Sequence, residues 1–89
     1  MKPVVAAVAE AIHSVQRDTG RATKPIEPSM LLAADLGLDS LDLAQTIVLL
    51  ERDLGVDPFR SAATSRTVRT VSDLVSIYEA ALASGDLRA

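Results

Sequence analysis

The stretch DLGLDSLDLAQTIVLLERDLGV, residues 35–56, decides the fold. Its apolar residues follow helical spacing: with Leu41 at the zero of a helical wheel, Leu43, Ile47, Leu50 and Leu54 fall within roughly 60° of one another. That stripe predicts an amphipathic helix over Ser40–Leu54, stopped by Gly55. Ser40 opens the helix in the run GLDSLD, with Asp39 one step before it and Asp42 two steps after. No base stands beside it in the sequence.

Upstream, Val4, Val5, Val8, Ala11, Ile12 and Val15 recur on one face of a helix that starts near Pro3, placed at its first position, and stops at Gly20. Between the two helices lies a long polar connection in which Pro25 and Pro28 oppose helix. Ile26, Met30, Leu31, Leu32, Leu36 and Leu38 punctuate it, so it should pack on the core, and a loop of this length usually carries function. Downstream, Asp57-Pro58 makes a turn and Ser61 to Arg66 are assigned one short helix. A last helix starts in TVSD, with Thr70 as N-cap and Asp73 completing a capping box. Its apolar face is Leu74, Ile77, Tyr78, Ala81 and Leu82, with Gly85 just past its end. Three longer helices and a short one predict an all-α four-helix bundle with a long loop after the first helix.

Composition agrees. Eighty-nine residues suffice for one small domain, taken as 1–89. Hydrophobic residues make up 48 % and only Phe59 and Tyr78 are aromatic, so the core must be aliphatic. The absence of cysteine excludes disulfides, cysteine-based zinc sites and thiol catalysis, and fits a reducing cytoplasm. A net charge of −3 without a dense basic cluster argues against nucleic acid. No apolar run is long enough to span a bilayer, and the N-terminal segment reads as an amphipathic helix rather than a signal peptide. The expectation is a free-standing, monomeric, cytoplasmic protein.

Three readings of Ser40 compete. Serine is among the best N-caps, so the plainest is a helix cap. A catalytic serine would need a base and an oxyanion site. The single histidine, His13, lies about 140° from the centre of the first helix's apolar stripe and reads as a solvated surface residue. GLDSLD also lacks the Gly-x-Ser-x-Gly elbow of the hydrolases. In the third reading Ser40 is itself the substrate of another enzyme, which brings the base. A hydroxyl at a helix start is accessible, and the helix N-terminus favours an attached phosphate.

The run Asp35 to Val56, with the Asp-Ser-Leu triplet of Asp39, Ser40 and Leu41, resembles the acyl carrier protein family. The likeness extends through the long loop and TVSDLVSIY. It implies a four-helix bundle that performs no bond-making itself. It also implies a 4′-phosphopantetheine arm, taken from coenzyme A, on Ser40, with Asp39 and Leu41 framing the site. Acyl intermediates are held as thioesters on the arm, whose thiol supplies the sulfur that the chain lacks. The implied partners are a phosphopantetheinyl transferase and acyl-loading, condensing or acyl-transfer enzymes of a fatty-acid, polyketide or specialised pathway.

On the wheel Leu41, Ala44 and Val48 lie roughly opposite the buried stripe. With Asp42, Gln45, Glu51 and Arg52 they form the expected partner-contact strip. Residues 31–59 hold Asp35, Asp39, Asp42, Glu51, Asp53 and Asp57 against Arg52, a net −5 that leaves +2 for the rest. Acidic carriers of this kind meet basic patches on their enzymes. The sequence departs from fatty-acid carriers at Gln45 and Arg52, and in FRSAATSRTVR, residues 59–69, which points to dedicated partner enzymes. Ile47, Leu50, Val56, Phe59, Val68 and Leu74 mark the region where family members shelter cargo, though ordinary core packing accounts for each. A peptidyl carrier with the same arm and an unmodified interaction bundle are the alternatives. The acidic Asp39 favours the acyl class.

Overall fold

The computed structural model describes residues 3–20, 22–59 and 68–83, and among these lie three helices, α1 (Val4–Asp18), α2 (Ser40–Leu54) and α3 (Val71–Ala83). Among the described residues there is no strand, and Leu31 and Thr70 form an isolated antiparallel bridge. The short helix assigned to Ser61–Arg66 and the stop at Gly85 lie outside the described residues.

Helix α1 starts one residue later than expected. Pro3 is extended and serves as the N-cap, its carbonyl accepting from Ala7 N at 3.0 Å. Val4, Ala7, Val8, Ala11, Ile12 and Val15 are buried. Val5 is not: it is 54 % exposed although the wheel sets it beside Ile12 and Gln16. The difference is axial, since the loop covers this side of the helix at Gln16 and leaves it open at Val5.

Helix α2 has the expected bounds and ends on Gly55 in the left-handed region (φ 71°), whose N–H donates to Glu51 O. Its inward face differs. Asp42, Thr46, Leu50 and Leu54 are buried, whereas Leu43 and Ile47 are only partly so. The face is turned by roughly 50° from the leucine stripe. Asp42 and Thr46 tolerate burial because both are satisfied locally: Asp42 in the helix cap, and Thr46 through its hydroxyl, which donates to Asp42 O at 2.9 Å.

The long connection is laced to the start of α3. Leu32 N donates to Arg69 O, Val71 N to Met30 O and Ser72 N to Pro28 O. Leu32, Leu36 and Leu38 enter the core, and Ile26 and Met30 pack against it, but Leu31 stays 36 % exposed. His13 is half-buried and meets Lys24 O at 2.6 Å. It therefore fastens the loop to α1 instead of standing free in solvent. At α3 the capping box forms as read: Thr70 Oγ1 accepts from Asp73 N, and Asp73 Oδ2 from Thr70 N and Arg69 N. Val71, Leu74, Ile77, Tyr78 and Ala81 are buried on α1 and the loop, while Leu82 is half-buried.

Candidate functional site

The cap of α2 is Asp39, not Ser40. Asp39 Oδ1 accepts from Asp42 N at 2.8 Å, and Asp42 Oδ2 accepts from Asp39 N at 3.2 Å. A box of this kind needs an acceptor at both ends, three residues apart. Asp39 and Asp42 provide it, whereas Leu43, three residues after Ser40, cannot. Ser40 is thus the first helical residue, exposed and relieved of capping, beside the unpaired N–H groups of the first turn. Asp42, expected on the exposed contact strip, is buried at 5 % because its carboxylate turns back to close this box.

The segment before Ser40 is held from several sides. Asp35 folds back so that Oδ2 accepts from Leu31 N at 2.7 Å, and Asp35 O receives Lys24 Nζ at 2.9 Å. Gly37 takes φ 71°, which reverses the chain toward Asp39. From α1, Gln16 Nε2 donates to Leu36 O at 3.2 Å. Gln16 is buried, and its Oε1 has no partner among the described residues. The sequence reading passed over Gln16; its signal was a polar residue four positions after Ile12, on the apolar face.

A groove of about 340 Å³ opens beside Ser40, which is one of its lining residues. Leu31, Leu32 and Ala33 of the loop, Leu43 of α2 and Val68 form its apolar walls, with Asp39 and Arg69 also lining it. Leu50, Val56, Leu74 and Tyr78 are all 0 % exposed. Tyr78 donates a long hydrogen bond, 3.4 Å, to Ile47 O and meets the Phe59 ring edge-on at 6.1 Å and 61°. Burial, reinforced by the carboxylates of Glu51 and Asp57, pushes the Tyr78 phenol well above its ordinary range and keeps it a neutral donor. Of the residues assigned to a cargo region, Leu50, Val56 and Leu74 are therefore core, Phe59 packs on Tyr78, and Val68 faces the groove.

The outer face of α2 presents Leu41, 75 % exposed, and Val48, 52 % exposed, with Ala44, Gln45 and Arg52 also exposed. Glu51 is half-buried, and Gln45 reaches Asp18 Oδ2 at 3.5 Å. His13 lines a different groove, with Glu10, Arg17 and Asp53, to which Ser40 does not contribute. Nothing here makes it the base of a serine nucleophile. Among the described residues no cluster of histidine and carboxylates could hold a metal ion, and no helix is long and apolar enough to cross a membrane.

A family model described as the phosphopantetheine attachment site matches residues 6–75. The match runs from the first turns of α1 through the loop and all of α2 into α3, so it includes Ser40 and the groove. No curated protein and no solved structure matches the chain.

Proposed function

Because the chain belongs to the phosphopantetheine attachment-site family, whose domain takes a covalent 4′-phosphopantetheine, we propose that Ser40 is the attachment residue of an acyl carrier protein. The observation that carries this is the division of labour at the start of α2: Asp39 and Asp42 close the cap, which leaves the Ser40 hydroxyl exposed and uncommitted to capping. The residues suit the group. First-turn N–H groups favour a phosphodiester on that oxygen, and the apolar groove adjoins it. When attached, the arm supplies a thiol for thioester linkage, chemistry unavailable to a chain without cysteine.

In the attachment step the Ser40 hydroxyl yields its proton to a base of the transferring enzyme. Its oxygen bonds the phosphorus of coenzyme A, and the adenosine bisphosphate leaves. Asp39 and Leu41 frame the hydroxyl for that enzyme. Partner enzymes meet Leu41, Ala44, Gln45, Val48 and Arg52, with Glu51 at the margin of the strip. Asp39 immediately before the serine supports acyl over peptidyl cargo, and Gln45 and Arg52 support dedicated partners over the general fatty-acid enzymes. The test is intact mass after incubation with coenzyme A, magnesium and a broad-specificity phosphopantetheinyl transferase. One arm is expected on the wild type and none on Ser40→Ala. Folded, unmodified wild type that gains no mass would make the chain an interaction bundle. Loading of the holo form by aminoacyl-adenylating enzymes alone would move it to the peptidyl class.

A further inference from the structure

We propose that Gln16 of α1 is a positioning residue for arm attachment. It fixes the peptide plane between Leu36 and Gly37, and through that plane the place at which Ser40 is offered to the transferring enzyme. The inference rests on Ser40 being the attachment residue, and it adds to that reading a determinant of the reaction on another helix.

The backbone before α2 is bonded in two directions. Its N–H groups are settled within the loop: Asp35 N and Leu36 N donate to Leu31 O, Gly37 N to Ala33 O and Leu38 N to Leu32 O. Two successive carbonyls reach out of it instead. Asp35 O receives Lys24 Nζ at 2.9 Å, and Leu36 O receives Gln16 Nε2 at 3.2 Å. Leu36 O and Gly37 N–H belong to one planar unit, so Gln16 on one edge and Ala33 O on the other clamp it. The next step of the chain depends on that plane. Gly37 takes φ 71° and turns the backbone into the Asp39 cap, where Asp39 and Asp42 close their box around Ser40. The two outward bonds differ in setting. The Lys24 bond is exposed, and water replaces a lost donor there at little cost. Gln16 is 1 % exposed and its bond is buried. Without the Gln16 amide, Leu36 O is left a buried acceptor, and the plane turns to find a donor. Gly37 lets it turn, having no side chain to restrict φ. Ser40 then divides its time between the clamped arrangement and others, so an enzyme that recognises the first finds only a fraction of the molecules competent.

The test measures arm transfer from coenzyme A by a broad-specificity phosphopantetheinyl transferase, with this chain as the varied substrate. Gln16→Met keeps the length and fills the same space but removes the donor. It is expected to raise KM about 2- to 10-fold, the weight of one hydrogen bond, with kcat within about 2-fold of wild type. Its Gly37 amide should exchange with solvent faster by a similar factor, because the same plane is released. Ile12→Val, one turn back on the same buried face, loosens core packing without touching the clamp and should leave KM unmoved. An unchanged KM in folded Gln16→Met would overturn the inference. So would a kcat loss at constant KM, or a KM rise that Ile12→Val reproduces, which would make Gln16 ordinary core. Wild type supplies a check that needs no variant to fold. Its Gln16 carboxamide and Gly37 amide should be protected together, and a freely exchanging carboxamide would sink the clamp. Wild type that gains no arm fails earlier: it removes the carrier reading and this inference with it, even where exchange shows the clamp intact.

Discussion

Serine and aspartate both cap helices, and at the start of α2 the choice falls on Asp39 because only it has a reciprocal acceptor three residues on, at Asp42. The signal was in the sequence as Asp-x-x-Asp set against Ser-x-x-Leu; the helix begins at Ser40 as expected, and only the capping residue differs. The two residues should separate in stability measurements. Asp39→Ala removes a working cap and is expected to cost about 1 kcal/mol. Ser40→Ala, at an exposed first helical position, should stay within about 0.5 kcal/mol of wild type. Urea unfolding of both variants checks this, and equal losses would return the cap to Ser40. Gln16 shows the opposite kind of legibility. Its bond to Leu36 O crosses twenty positions of chain, a tertiary pairing that no helical wheel contains.

Among elements, α3 was the most legible, since Thr70 and Asp73 announce its start and the capping box forms between them. The bounds of α2 were equally readable from Asp39-Ser40 and Gly55, but its orientation was not. A wheel weighted by leucine puts Leu43 and Ile47 at the core, whereas backbone bonding lets Asp42 and Thr46 take the inward positions. The loop's apolar residues were legible as core contributors, but its lacing to residues 69–72 depends on distant backbone groups. The α3 cap also makes a prediction in pH. Backbone N–H groups of Thr70 and Arg69 hold the Asp73 carboxyl below its ordinary value of 3.8. A depressed carboxylate stabilises the fold above its unfolded pKa, and that contribution fades as pH falls through the folded one. Wild type should therefore melt above Asp73→Ala at neutral pH, and the gap should narrow as pH drops below about 4. A gap that holds constant into acid would mean that the ionised form of Asp73 contributes nothing to the cap.

At the scale of the molecule, the two aromatic residues meet at the edge of the core, and the sequence could place Tyr78 on an apolar face without showing that it reaches Phe59 and Ile47 O. Charge follows a similar course. Residues 31–59 count six carboxylates against Arg52, which suggests a strongly acidic docking face. Three of the six, Asp35, Asp39 and Asp42, are aimed at backbone amides near Ser40. What α2 turns outward is the apolar run Leu41, Ala44 and Val48, with Arg52 toward its far end. Association with a basic enzyme surface should then rest mainly on apolar contact, with Arg52 opposing it at the rim. Exposed charge pairs are worth about 0.2–1 kcal/mol, so reversing this sign should change encounter by about 2- to 5-fold. Arg52→Glu is therefore expected to lower KM for a broad-specificity phosphopantetheinyl transferase by that factor at low salt, with kcat unchanged. Rim charges act on association and are screened, so the advantage should shrink as ionic strength rises past about 0.15 M. A KM unmoved at every salt concentration would place Arg52 outside the contact strip and confine recognition to the turns of α2 nearest Ser40.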